Sequence, residues 1–262
     1  MALLSKIEKA TRQKFYGLYQ FLNFLGEVAI AFVEALRNPF KIRWRETFYY
    51  LDQCGVKSLP IVLIICFLLG VILAFQGALQ LAQFGTQIFI VDLVGWSVLM
   101  ELGPFMVAII ATGRAGSAFA AEIGTMIADE EVNALTTMGI SVARFLVIPK
   151  MLALAVAMPL LTCFGNIAAL LGGLFIGVTV GDVPMAAYVG RTLTVLTPNA
   201  FLFGVGKSIV FAVIIALVGC FRGLQSTMDA QGVGRSATNA VVTSIFAVVI
   251  SDAIITLLDS LS

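Results

Sequence analysis

The sequence has no histidine, and only 12% of its 262 residues are Asp, Glu, Lys or Arg. A water-exposed surface ordinarily takes about a quarter of a domain's residues as charges. With 60% hydrophobic residues, this chain is too poor in charge to be a soluble protein. The absence of histidine removes the commonest metal ligand and the usual general base near neutral pH. Sixteen basic and fifteen acidic residues nearly cancel, so bulk attraction to nucleic acid has no support. Cys54, Cys66, Cys163 and Cys220 lie far apart and form no C-x-x-C pair. They read as small apolar residues, not as a zinc site or a redox dithiol.

What the sequence does have is long uncharged runs. Ser58 to Val91 is 34 residues without a formal charge, and Met151 to Gly181 is another 31. About 20 apolar residues cross the hydrocarbon core, so each run holds one spanning helix. Three further stretches are apolar with one internal charge each: Glu101 within 92–113, Lys207 within 199–221 and Asp252 within 236–258. The expected fold is an all-α membrane protein with five spans, near 58–82, 90–113, 147–178, 199–221 and 236–258.

Short cytoplasmic segments carry the excess of Lys and Arg. Residues 1–57 hold nine of them, Arg114, Arg144 and Lys150 surround the connection between spans two and three, and Arg222 and Arg235 flank that between four and five. The other side has Arg191 alone. This places the N-terminus in the cytoplasm and, with five spans, the C-terminus on the far side of the membrane. Residues 1–57 form an N-terminal region and 58–262 the membrane domain. Phe15, Leu18, Tyr19, Leu22, Leu25, Ala29, Phe32, Val33 and Leu36 recur at helical spacing, which predicts an amphipathic helix that Pro39 ends. Its apolar stripe lies either in the membrane interface or on the protein's own cytoplasmic side.

Between spans two and three, residues 114–146 mix charges with many small residues. A simple reversal needs only a few residues, so a structured element of this length at the membrane surface invites a partner. Asp129, Glu130 and Glu131 suit the first turn of a short helix that Gly139 ends, with Ala134, Leu135 and Met138 as a small apolar face.

Gly206, Lys207 and Ser208 spell the end of a phosphate-binding loop, but Phe201 stands where that pattern needs glycine. The chain therefore carries no ATPase site, and active transport would draw energy from a partner or an ion gradient. Gly172, Gly173 and Gly177 include a G-x-x-x-G spacing that suits close helix packing. Glu101, Lys207 and Asp252 stand at membrane depth, where an unpaired charge costs a few kcal/mol. They are expected to face the bundle interior, either as a purely structural pairing or as a network that shifts during transport. Pro104 lacks an N–H and is expected to bend the helix beside Glu101.

The stretches E-L-G-P (Glu101–Pro104), G-R-A-G-S-A (Gly113–Ala118), A-E-I-G (Ala121–Gly124), M-P-L-L-T (Met158–Thr162), K-S-I-V-F-A (Lys207–Ala212) and G-V-G-R-S-A-T (Gly232–Thr238) resemble the MlaE permease family over about residues 50–258. These are membrane subunits of ABC transporters that move phospholipid between bacterial membranes. The resemblance implies a homodimer that docks a cytoplasmic ATPase through a coupling helix, here Asp129–Gly139. It also implies a periplasmic MCE-domain carrier and, in some complexes, a STAS-domain subunit. ATP and Mg would be bound by the ATPase partner, and this chain would bind no cofactor.

A two-tailed lipid needs an apolar wall with a polar rim, and the second half of span one offers Leu73, Phe75, Gln76, Leu79 and Phe84. Residues 182–198 look like an amphipathic element on the far side. The rival readings are an ion-coupled secondary transporter using Glu101, Lys207 and Asp252, a scaffold, and a lipid enzyme. The last lacks histidine, a G-x-S-x-G elbow and an acidic metal cluster at the interface.

Overall fold

The computed structural model describes residues 2–261, with side chains from residue 17 onward except Leu18 and Lys41. Phe15 and Leu18 of the N-terminal stripe therefore lie outside the described side chains. The described residues form helices joined by short turns, with no strand. We number α1 Ala2–Arg37, α2 Trp44–Cys54, α3 Leu59–Ala82, α4 Ile90–Ser97, α5 Gly103–Ala111, α6 Ser117–Ala128, α7 Glu131–Thr137, α8 Ile148–Thr179, α9 Met185–Val195, α10 Pro198–Leu224 and α11 Ala230–Ser260.

Among the described residues, six helical stretches are long and apolar enough to cross a membrane: Tyr19–Arg37, Trp44–Ala82, Gln87–Ala128, Ala143–Thr179, Pro198–Leu224 and Ala230–Ser260. Five correspond to the expected spans but are longer, because charged residues continue a helix past the bilayer instead of ending it. α4, α5 and α6 form one continuous rod, joined by the wider π turns Val98–Leu102 and Thr112–Gly116. With the preceding turn Gln87–Phe89 the stretch is 42 residues and roughly 63 Å long, about twice the hydrocarbon thickness. We call the end of the bundle that carries α7 the α7 end, and the opposite one the α9 end.

The sixth apolar stretch, in α1, corrects the simple amphipathic picture. The face turned to the protein is Phe24, Val28, Ala31 and Ala35, all buried, while Tyr19, Leu22, Val33 and Leu36 of the predicted stripe point outward. Apolar residues thus stand on the outward side as well, interleaved there with Asn23, Glu27 and Glu34. The contacts of α1 argue for a lie other than a crossing. Phe21 and Phe24 stack on Phe221, three residues from the end of α10, and Glu34 pairs with Arg144 at the start of the α8 rod. Both partners belong to the α7 end, so this part of α1 slants across that end of the bundle.

Small residues let the rods touch. A Cβ on Gly70 would stand 1.9 Å from the Ala169 carbonyl oxygen, and one on Gly172 would stand 2.2 Å from that of Phe67, so α3 and α8 meet backbone to backbone. Gly177 makes room for the Tyr188 ring, which seats α9 on α8. Helix starts follow local chemistry: the Thr197 hydroxyl accepts from the Ala200 N–H at α10, and the Asp229 carboxylate accepts from the Gly232 N–H at α11.

Gly70→Leu or Gly172→Leu should force α3 and α8 apart and cost about 3 kcal/mol, the upper end of the ~1–3 kcal/mol scale of overpacked cores, seen as a lower thermal midpoint in detergent. Gly190→Ala, where an added Cβ meets nothing within 4 Å, should leave the midpoint unchanged or raise it.

Candidate functional site: two ionic knots and an outward-facing short helix

The structure brings Glu101, Lys207 and Asp252 together. The Lys207 side chain is 1% exposed, and its Nζ donates to Glu101 Oε2 at 2.5 Å, Asp252 Oδ1 at 2.9 Å and Thr256 Oγ1 at 2.9 Å. The Thr256 hydroxyl donates in turn to Glu101 Oε1 at 3.1 Å. An ammonium has three hydrogens, and here each has an oxygen partner. The knot ties the α4–α6 rod, α10 and α11. Lys207 lies nine residues into α10, roughly 13 Å from the α9 end.

Glu101 sits inside the π turn Val98–Leu102, three residues before Pro104 in the first turn of α5. The extra residue of such a turn rotates the side chains that follow it, and π turns recur at functional positions. Gly103 lets this turn lie against Asn166 of α8, whose Oδ1 would be 1.8 Å from an added Cβ. Asn166 Oδ1 and Nδ2 and Thr162 Oγ1 are buried there without a hydrogen-bond partner among the described residues.

At the α7 end is a second knot that the sequence did not disclose. Lys150 is completely buried, and its Nζ donates to Tyr50 Oη at 2.7 Å and Glu122 Oε1 at 3.1 Å, while the Tyr50 hydroxyl donates to the same Glu122 oxygen at 2.5 Å. Lys150 and Glu122 read as surface charges flanking a span. The available signal was Lys150 itself, set among Leu146, Val147, Ile148, Met151 and Leu152.

The predicted coupling residues are only partly gathered in a helix. α7 covers Glu131–Thr137, so Glu131, Ala134 and Leu135 are on it. Asp129 ends α6, and Glu130 takes a left-handed conformation, φ 59°, that turns the chain between the two helices. Gly139 follows α7 at φ 72°, a backbone state that glycine adopts freely. The expected apolar face is split. Leu135 is buried with Val132, whereas Ala134 and Met138 face outward, Met138 with 65% of its surface exposed.

The lipid-cavity candidates form an open face instead of an enclosed cavity. Phe75 and Leu79 continue an exposed stripe with Ile61, Ile64, Leu68 and Ile72 along α3. Gln76 is exposed beside it and Phe84 projects from the turn after α3, whereas Leu73 packs against the core. At the α9 end, Arg191 of α9 grips Asp92 of α4 through both carboxylate oxygens, at 2.8 and 2.9 Å. That hydrogen-bonded pairing raises the Arg191 guanidinium above its ordinary range. Met185, Val189 and Leu193 leave a second exposed apolar stripe on α9.

No group of three or more His, Cys, Asp and Glu among the described residues is placed to hold a metal. The fold and site define a multi-pass helical membrane protein whose internal charges are engaged with one another. The signature of the family described as Permease MlaE matches residues 47–258. A probable ABC transporter permease protein of Rickettsia bellii is 37% identical over 202 residues, 77% of this chain and 78% of that protein. A probable ABC transporter permease of Synechocystis is 34% identical over 212 residues, 81% of each. Protein TRIGALACTOSYLDIACYLGLYCEROL 1 of Arabidopsis thaliana, chloroplastic, is 33% identical over 217 residues, 81% of this chain and 61% of that protein. The chain belongs to the MlaE permease family. It is accordingly a membrane permease subunit of an ABC transporter.

Lys207→Met should leave two carboxylates facing each other without their cation and destabilise the protein by about 3–5 kcal/mol, read as a lower unfolding midpoint in detergent. Adding Glu101→Gln and Asp252→Asn to Lys207→Met removes the orphaned charges and should recover most of that loss. A single variant as stable as the wild type would show that the knot contributes nothing.

Proposed function

We propose that this subunit moves phospholipid between the inner membrane and a periplasmic MCE-domain carrier, as a homodimer energised by separate cytoplasmic ATPases. ATP and Mg belong to the ATPase partner, and a STAS-domain subunit is a further expected component. The N-terminus and α7 lie in the cytoplasm, and α9 and the C-terminus in the periplasm.

The observation that carries the reading is α7 itself, a short helix held by Val132 and Leu135 that presents Glu131, Ala134 and Met138 away from the protein. An ATPase gripping that face pushes on α6 and hence on the whole α4–α6 rod, which contains Glu101. The lipid part of the reading is supported by the exposed apolar stripe of α3 and by the relative whose name specifies a diacylglycerol lipid. A two-tailed lipid needs more wall than one copy encloses, and a two-fold axis beside α3 supplies it. In this cycle the Lys207 knot forms the floor of the shared cavity and moves as the ATPases close.

The ion-coupled alternative would use Glu101 and Asp252 as ion sites. Both carboxylates already accept from Lys207, which leaves them poorly disposed to hold a further cation.

Gentle extraction should recover an ATPase and an MCE-domain protein with the chain. Glu131→Lys together with Met138→Glu should leave the protein inserted but cut ATP-driven lipid transfer by roughly tenfold or more, the scale of a lost interface anchor. Wild-type transfer by that variant would remove α7 from the coupling role.

A further inference from the structure

A cavity of about 380 Å³ opens on the bundle surface between α2 and the start of α6, lined by Tyr49, Tyr50, Gln53, Arg114, Ala118 and Glu122 among others. That volume is typical of small-ligand pockets. Its charges are unevenly engaged. Glu122 uses Oε1 for both Lys150 and Tyr50, and Oε2 has no ion pair or hydrogen bond among the described residues. Arg114 makes no ion pair or hydrogen bond among the described residues, although it stands in a π turn that aims it at this space. The lining thus offers one unengaged cation, Arg114, and one free carboxylate oxygen, Glu122 Oε2.

Depth identifies the kind of ligand that would meet these two groups. Residues 93–113 contain no charge but Glu101, so Arg114 is the first charged residue after the apolar stretch and marks where the rod leaves the hydrocarbon. The remaining turns to Ala128 project beyond it. The cavity therefore lies at the level of lipid headgroups, on the outer surface of the bundle and at the α7 end, away from the Lys207 knot. A snorkelling arginine alone would need no pocket. Here it faces a carboxylate eight residues away, about 12 Å along the helix axis.

We propose that this cavity docks a phospholipid headgroup, its phosphodiester on Arg114 and its amine on the free oxygen of Glu122. An exposed Tyr49 ring and Gln53 at the rim complete a surface suited to an amine-bearing zwitterion. The site rests on the lipid reading and adds a loading point in the leaflet at the α7 end.

The test is binding of short-chain dihexanoyl phosphatidylethanolamine, dihexanoyl phosphatidylglycerol and inorganic phosphate to the full chain in detergent, followed by native mass spectrometry. The ethanolamine lipid should bind several-fold more tightly than the glycerol lipid, and inorganic phosphate more weakly than either. Arg114→Gln should weaken lipid binding roughly tenfold, the effect of one lost charge-assisted hydrogen bond, and Arg114→Lys should restore part of it. Ala118→Leu, which fills the cavity and keeps every charge, should weaken it similarly and guards against a folding defect in the arginine variant. Unchanged binding by both Arg114→Gln and Ala118→Leu would overturn the proposal, and phosphate binding as tight as lipid would assign the site to a free anion instead. Because the readout is binding, arginine-dependent lipid capture without ATP-driven transfer would sink the transport reading and leave this site standing.

Discussion

A lysine ammonium with 1% of its side chain exposed, deep in a membrane-length helix, tolerates few arrangements. Hydrocarbon gives it no solvation, so every N–H must find an oxygen and its charge must find a carboxylate. Lys207 satisfies both demands with groups from two other helices, and the relative rotation of α10, α11 and the α4–α6 rod follows from that. The π turn at Val98–Leu102 and the Pro104 that follows it turn Glu101 toward the knot. Close approach at Gly70 and Gly172 then places α3 and α8 against this frame.

The second knot repeats the same chemistry at the other end. Lys150, Tyr50 and Glu122 tie the start of the α8 rod to α2 and α6, so α6 is held at Glu122 while its far end supports α7. A load applied to α7 meets a stiff, tethered rod, and the wide turns at Thr112–Gly116 and Val98–Leu102 are the places where that rod can change its winding. In the proposed cycle this converts closure of the ATPases into movement around the Lys207 knot.

Much of this architecture was legible in the sequence. Uncharged runs such as Ser58–Val91 announced spans, and three lone charges in otherwise apolar stretches announced a buried network, because the cost of an unpaired charge leaves little choice. The ends of the rods were not legible: Glu122 and Lys150 read as charges in and beside the connection between spans two and three, whereas they lie on helices and pair inside. In α1 the residues that pack, Phe24, Val28, Ala31 and Ala35, form a second apolar stripe beside the more conspicuous one. Periodicity gives the stripes but not which one the protein covers. Ala134, Leu135 and Met138 misled similarly, since a seven-residue helix turns only about twice and small shifts in its start redistribute its faces. Phe75 and Leu79 lie on a surface whose role depends on what covers it.

The central claim is that this chain supplies a lipid path but no energy. It is tested by reconstituting the chain in proteoliposomes with and without its ATPase and following labelled phospholipid to an acceptor carrier. The account predicts transfer that requires ATP hydrolysis and ignores imposed proton or sodium gradients. Gradient-driven transfer by the chain without ATPase would contradict it.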